Sequence, residues 1–199
     1  MTEAAAKPSN WNAPNAITVV RIFFAPAFLW LMLADAGQGG SERWWAGGLF
    51  IVGIATDGVD GYLARRNDQV TELGKLLDPI ADKVLTLGAL IGLSVLGELP
   101  WWVAIVIAVR EVGITVYRFA VIRGGVIPAS RGGKAKTLLQ AIAISAALLP
   151  FTQTLGSGVT FWPDLVLMGL ALLLTVLSGL DYAWNAARLA RSHGSGPDA

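Results

Sequence analysis

Four aspartates fall at helical spacings in an otherwise apolar sequence. Asp57 and Asp60 are three apart, and Asp78 and Asp82 are four apart. Residues three or four apart share a helix face, so each pair presents two carboxylates together. Carboxylates in or near a bilayer are unfavourable and by default mark a site. Four of them on neighbouring helices repel at low dielectric, so they require protons, Lys or Arg partners, or divalent cations. All-oxygen ligation suits Mg2+, Mn2+ or Ca2+. The chain has no Cys, and its single His, His193, lies in a Gly/Ser/Pro-rich tail, so no soft donor competes for zinc. Mg2+ commonly completes its shell with substrate phosphates, which favours a site with phosphates as missing ligands over a closed structural one. Gly61 and Ala64 continue the Asp57 face, Arg65 lies about two turns on, and Gly74 precedes the second pair. These small residues leave room for a large ligand beside the acids. Other readings of the parts are a solvated helix end for one pair, helix packing for the small residues, or an ion pathway for the carboxylates.

The elements that carry these residues read as membrane helices. Of 199 residues, 54% are hydrophobic and only 15% charged, too apolar for an ordinary soluble domain. Apolar runs approaching or exceeding the roughly 20 residues needed to cross a bilayer predict six spans, at about 16–33, 44–63, 76–96, 101–121, 137–151 and 161–189. The expected fold is therefore an all-α integral membrane protein with six transmembrane helices, forming one domain over 1–199. Residues 1–9 and 194–199 are expected to be disordered, and the N-terminal stretch lacks a signal-peptide pattern. Lys7, Arg21, Arg65, Arg66, Lys75, Arg123, Arg131, Lys134, Lys136, Arg188 and Arg191 collect on one side. The other side carries only Arg43, beside Asp35 and Glu42. The positive-inside rule then puts both termini, and the aspartates, at the cytoplasmic side. Trp44, Trp45, Trp101, Trp102 and Trp162 fall at external span starts, where interfacial anchoring explains them.

The arrangement Asp57-x2-Asp60-Gly61-x2-Ala64-Arg65-x8-Gly74-x3-Asp78-x3-Asp82 resembles the full signature of the CDP-alcohol phosphotransferases, with every fixed position present. The similarity to bacterial members extends over roughly 15–140, through Pro14-Asn15-Ala16-Ile17-Thr18, Asp82-Lys83, Arg110-Glu111 and Gly133-Lys134-Ala135-Lys136-Thr137. The resemblance implies a CDP-linked lipid donor, CDP-diacylglycerol, whose β-phosphorus is attacked by an acceptor hydroxyl while CMP leaves. It implies two divalent cations, Mg2+ or Mn2+, held by Asp57, Asp60, Asp78 and Asp82, with Asp82 also the general base. By the same resemblance Gly61, Ala64, Arg65 and Gly74 border the nucleotide, and Asn15, Thr18 and Thr71 are candidate polar contacts to it. For Asn15 and Thr18, plain helix capping is an equal alternative. A homodimer in the bacterial cytoplasmic membrane is also implied.

The acceptor is read from the basic residues. Arg110 and Arg118 are eight apart on similar faces of span four, and Lys134 and Lys136 begin span five. Arg and Lys recognise phosphate naturally, so this set argues for a phosphorylated acceptor and against serine. Topology and attraction to anionic lipid explain Arg123, Arg188 and Arg191, but explain Arg110, deep in a span with Glu111 as its expected partner, poorly. The wider resemblance favours glycerol 3-phosphate over inositol phosphate or phosphatidylglycerol. More distant alternatives are a membrane prenyltransferase and a divalent-cation transporter. No nucleic-acid partner is expected.

Overall fold

The computed structural model describes residues 12–66, 71–121 and 131–194. Among them seven helices follow in order: α1 (Ala13–Asp35), α2 (Ser41–Arg66), α3 (Glu72–Val95), α4 (Trp101–Val121), α5 (Arg131–Leu148), α6 (Phe151–Leu155) and α7 (Ser157–Gly194). No strand occurs among the described residues. Six of the helices coincide with the six apolar runs and extend beyond most of their ends. The short α6 was not expected. Pro150 cannot extend α5, and Gly156, at φ +88°, takes a conformation that helices exclude, so the intervening residues form a turn of their own. Of the stretches expected to be disordered, 1–9 and 194–199, all but Gly194 lie outside the described residues; Gly194 ends α7.

Local chemistry sets the starts of the two helices nearest the aspartates. The Asn12 side chain accepts a hydrogen bond from the Asn15 backbone N–H at 2.9 Å, and Pro14 sits in the first turn, where it needs no hydrogen bond. Thr71 does the same for α3, accepting from Gly74 N–H at 3.0 Å. Helix α1 packs along α2 and α3, α5 lies against α7, and α4 bridges α3 and α7. The core between them contains Phe28, Met32, Phe50, Leu85, Leu93, Ile107, Ile144 and Leu148. Phe28 and Phe50 meet edge to face at 5.8 Å. Helices α1 and α3 approach closely at Gly92, where a Cβ would lie 2.7 Å from Met32 Sδ.

The outer surface is apolar as well. Phe23, Trp30, Trp45, Trp102, Val109 and Trp162 are all exposed. Such a coat is far larger than the apolar patches of soluble monomers. By length and composition α1 and α7 suffice to cross a membrane, while the apolar part of α5, Lys136–Leu148, is shorter. Helices α2, α3 and α4 carry the acids and cations of interest within their length.

The bundle has two chemically distinct ends. At one, where α1 and α5 finish and α2 begins, Arg43 is fully buried. Its guanidinium donates to the carbonyl oxygens of Leu148 at 2.7 Å and Ala147 at 3.1 Å, and it pairs with Glu98. Arg43 thus caps the C-terminus of α5, where the helix dipole is negative. Sequence reasoning had used it only as a count in the charge asymmetry. Arg43→Met should leave those carbonyls without a donor, a loss of about 2 kcal/mol. The expected readout is a fall of several degrees in the unfolding midpoint of the detergent-solubilised protein. An unchanged midpoint would show that the cap does not bear on stability.

Candidate active site

At the other end, α1 turns a strip of polar residues toward α2 and α3. Asn15, Thr18 and Arg21 recur every three residues, and all three are buried. Arg21 donates to Asp57 Oδ1 at 2.5 Å. The Thr18 hydroxyl lies 2.9 Å from Asp78 Oδ1 and 3.1 Å from the carbonyl of Pro14. The Asn15 amide donates to Thr71 Oγ1 at 2.9 Å. The first helix therefore orients one aspartate of α2 and one of α3. Asn12, not Asn15, caps α1, and Asn15 and Thr71 tie the N-termini of α1 and α3 together. Thr18 and Arg21 bond directly to the carboxylates. Arg21 had been read only as part of the positive side. The signal that could have found it was the three-residue polar period inside an apolar span.

Asp78 and Asp82 both lie within electrostatic range of Asp57. Asp57 is half exposed and Asp82 about a third exposed, so a ligand can reach them. Each of the three has one oxygen engaged, by Arg21, Thr18 or Lys83, and the other without a hydrogen bond. That donor set, carboxylate oxygens only, fits a hard divalent cation. Among the described residues no three acidic side chains lie together as a group that could hold a metal ion. Asp60, Ala64 and Arg65 are carried by α2 and Gly61 lies between them, but the side chains of Asp60, Ala64 and Arg65 lie outside the described residues. The space beside Gly74 is occupied by protein. A Cβ there would sit 2.6 Å from Asn15 Oδ1 and 3.2 Å from Thr71 Oγ1.

A second cluster adjoins the first. Lys83 Nζ bridges Asp82 Oδ2 and Glu111 Oε2, each at 2.6 Å. Glu111 Oε1 accepts from Arg110 at 2.9 Å and also from Lys136. The other end of the Arg110 guanidinium donates to Ser178 Oγ on α7 at 2.9 Å. Gly179 lets Arg110 lie against that helix, since a Cβ would be 3.2 Å from Arg110 Cγ. The expected Arg110–Glu111 pair is present, and Lys136 joins it. The side chains of Arg118 and Lys134 lie outside the described residues. Sequence reasoning missed Lys83, which sits inside the motif next to Asp82, and did not anticipate that Glu111 gathers cations from three helices. Through Lys83, Asp82 and the basic residues form one connected network.

An acid-rich pair of helices with an adjoining basic pocket, at one end of an all-helical bundle, is the arrangement expected for phosphoryl transfer from a pyrophosphate. The chain matches the CDP-alcohol phosphatidyltransferase family over residues 11–177, and it belongs to that family. It is similar to a protein of Mycobacterium tuberculosis (strain H37Rv) named as a probable phosphatidylglycerophosphate synthase. The two are 47% identical over 177 residues, covering 89% of this chain and 82% of the relative. It is 42% identical over 195 residues to the CDP-diacylglycerol–glycerol-3-phosphate 3-phosphatidyltransferase of Bacillus subtilis (strain 168), covering 89% of this chain and 98% of that one. A CMP-forming cardiolipin synthase of Streptomyces coelicolor is 38% identical over 103 residues, but that match spans 52% of this chain and 48% of the relative.

The tie between α1 and α3 yields a test. Gly74→Ala should force Asn15 off Thr71 and loosen both helix starts, at a cost of about 1–3 kcal/mol. Gly169→Ala, where a Cβ meets open space, should leave the protein as stable as the parent. Thermal unfolding of both variants in one detergent checks this. Equal midpoints would show that the contact at Gly74 relaxes freely.

Proposed function

We propose that this chain transfers a phosphatidyl group from CDP-diacylglycerol to glycerol 3-phosphate, giving phosphatidylglycerophosphate and CMP. Relatives bearing that activity in their names align along almost their whole length, which supports the chemistry. The observation that carries the acceptor is the position of Lys83. It joins the aspartate site to the buried Arg110–Glu111–Lys136 cluster, so a phosphate held by those cations lies next to the reacting carboxylates. Family membership sets aside the prenyltransferase and the transporter.

The residues divide the work as follows. Asp57, Asp60, Asp78 and Asp82 are the side chains that would hold the divalent cations, Mg2+ or Mn2+ and two in number. Bound there, such ions neutralise a pyrophosphate and favour departure of the CMP phosphate. Arg21 and Thr18 hold Asp57 and Asp78 in place from α1. Gly61, Ala64 and Arg65 border the nucleotide, with Asn15, Thr71 and Gly74 shaping its edge. Asp82 takes the proton from the acceptor hydroxyl. The freed oxygen attacks the β-phosphorus, a new phosphodiester bond forms, and the bond from phosphorus to the CMP oxygen breaks. Arg110, Arg118, Lys134 and Lys136 receive the acceptor's own phosphate through charge-assisted hydrogen bonds.

The same reading has six spans with both termini and the active site on the cytoplasmic side of a bacterial inner membrane. The apolar exterior, the Trp residues near the Arg43 end and the Lys/Arg asymmetry support it. A lipid donor can then enter sideways from the leaflet while glycerol 3-phosphate arrives from water. The family resemblance adds a homodimer, with membrane lipids covering the remaining apolar surface.

CMP release by the purified protein, with CDP-diacylglycerol and a panel of acceptors, tests the assignment. Glycerol 3-phosphate should turn over fastest, and faster turnover of inositol phosphate or phosphatidylglycerol would reject it. Asp82→Asn should reduce CMP release by about 100-fold or more while leaving CDP-diacylglycerol binding largely intact. Normal turnover in that variant would remove Asp82 as the base.

A further inference from the structure

Glu111 has no place in the reaction as described, yet it is the most connected buried carboxylate in the described chain. It is 4% exposed, and its two oxygens accept from Lys83 on α3, Arg110 on α4 and Lys136 on α5. Three cations share Glu111 and Asp82, so the group carries one positive charge in excess. Arg110 also keeps a buried Nε–H with no hydrogen-bond partner. An excess positive charge and an unmet donor are what a phosphate group satisfies. Like charges drawn together in a low-dielectric interior separate unless an anion holds them. Without Glu111, Arg110 would still have Ser178, but Lys136 would have no described anion and Lys83 would have only Asp82.

We propose that Glu111 is a positioning residue for the acceptor: it gathers Lys83, Arg110 and Lys136 into one phosphate seat and, through Lys83, sets that seat against Asp82. The inference rests on the reading of glycerol 3-phosphate as acceptor. Among the described residues the Glu111 side chain bonds to cations and to none of the aspartates. Its effect is therefore confined to the acceptor and to the alignment of the acceptor hydroxyl with the base. Lys83 belongs to the same seat, bridging the two carboxylates.

The full-length protein, purified in detergent with lipid, is compared with Glu111→Gln, Lys136→Met and the double variant. Glu111→Gln keeps the side chain's size and one acceptor oxygen but removes the charge. The KM for glycerol 3-phosphate should rise about tenfold or more and kcat should fall, while the KM for CDP-diacylglycerol stays within about twofold. In the double variant the acceptor KM should be close to that of Lys136→Met alone, because residues acting as a unit are not additive. Should Glu111→Gln not fold, Glu111→Asp serves instead: it keeps the charge but shortens the reach, and its acceptor KM should rise by a smaller factor. An acceptor KM that does not move, with only less active protein recovered, makes Glu111 a packing residue and overturns the proposal. So does an equal rise in both KM values. If the unsubstituted protein shows no CMP release dependent on glycerol 3-phosphate, the acceptor reading itself fails, an outcome separate from any behaviour of Glu111.

Discussion

Charge inside an apolar helix bundle has to be compensated locally, and the whole site is organised by that requirement. Taking an ionised side chain out of water is so unfavourable that it persists only with partners of opposite sign and well-formed hydrogen bonds. Arg21 and Lys136 are almost entirely buried, and each has its carboxylate. The compensation is also deliberately incomplete. Asp57, Asp78 and Asp82 each keep a free oxygen, and the Glu111 cluster keeps a surplus cation. An acid site short of cations beside a basic site short of anions suits a metal-bound pyrophosphate meeting a second phosphate. What remains unpaired in the protein is what the substrates bring.

The two ends of the bundle meet the same requirement differently. At the Arg43 end most of the charge is met within the protein, although Arg43 Nη1 is buried without a hydrogen-bond partner. The guanidinium is spent on two carbonyls and Glu98, and the Asp35 carboxylate accepts the backbone N–H groups of Gly39 and Gly40 at 3.0 and 2.6 Å. These contacts hold helix ends together. The aspartate end uses the same kinds of contact but leaves carboxylates half exposed. Exposed carboxylates at the aspartate end agree with a site that must admit a lipid, a nucleotide and a soluble acceptor.

Much of this was legible in the residues. The apolar runs located six helices because burying or lipid-facing segments must be both long and apolar, and the fixed spacing of Asp57, Asp78 and Asp82 marked the carboxylates that face one another across α2 and α3. Less legible was anything that depends on which helices touch. Arg21 looked like a topology signal, and only its placement 2.5 Å from Asp57 gives it another role. Lys83 stood beside a motif aspartate, but spacing along one helix cannot tell that its ammonium also reaches α4. Asn15 and Thr18 read as caps or nucleotide contacts, and only the fold shows that Thr18 meets a carboxylate sixty residues away. The short α6 is not legible because the expected fifth span, 137–151, runs through Pro150, where α5 has already ended at Leu148.

The division of labour among helices has a mechanistic consequence. In the proposed reaction the donor groups are those on α2 and the first half of α3, supported by α1, which packs along both. Acceptor groups lie on α4 and α5, with Arg110 braced on α7 through Ser178. Only α3 belongs to both halves, through the adjacent Asp82 and Lys83. With Asp82 as the proposed base, a proton leaving the acceptor hydroxyl would move at the seam where the two halves join. Any shift of α4 and α5 relative to α1 and α2 would change the distance between acceptor phosphate and base without disturbing the metal-binding acids. Acceptor choice can thus vary on α4 and α5 while the carboxylate chemistry on α2 and α3 stays the same, which explains why the aspartate spacing identifies the reaction but not its acceptor.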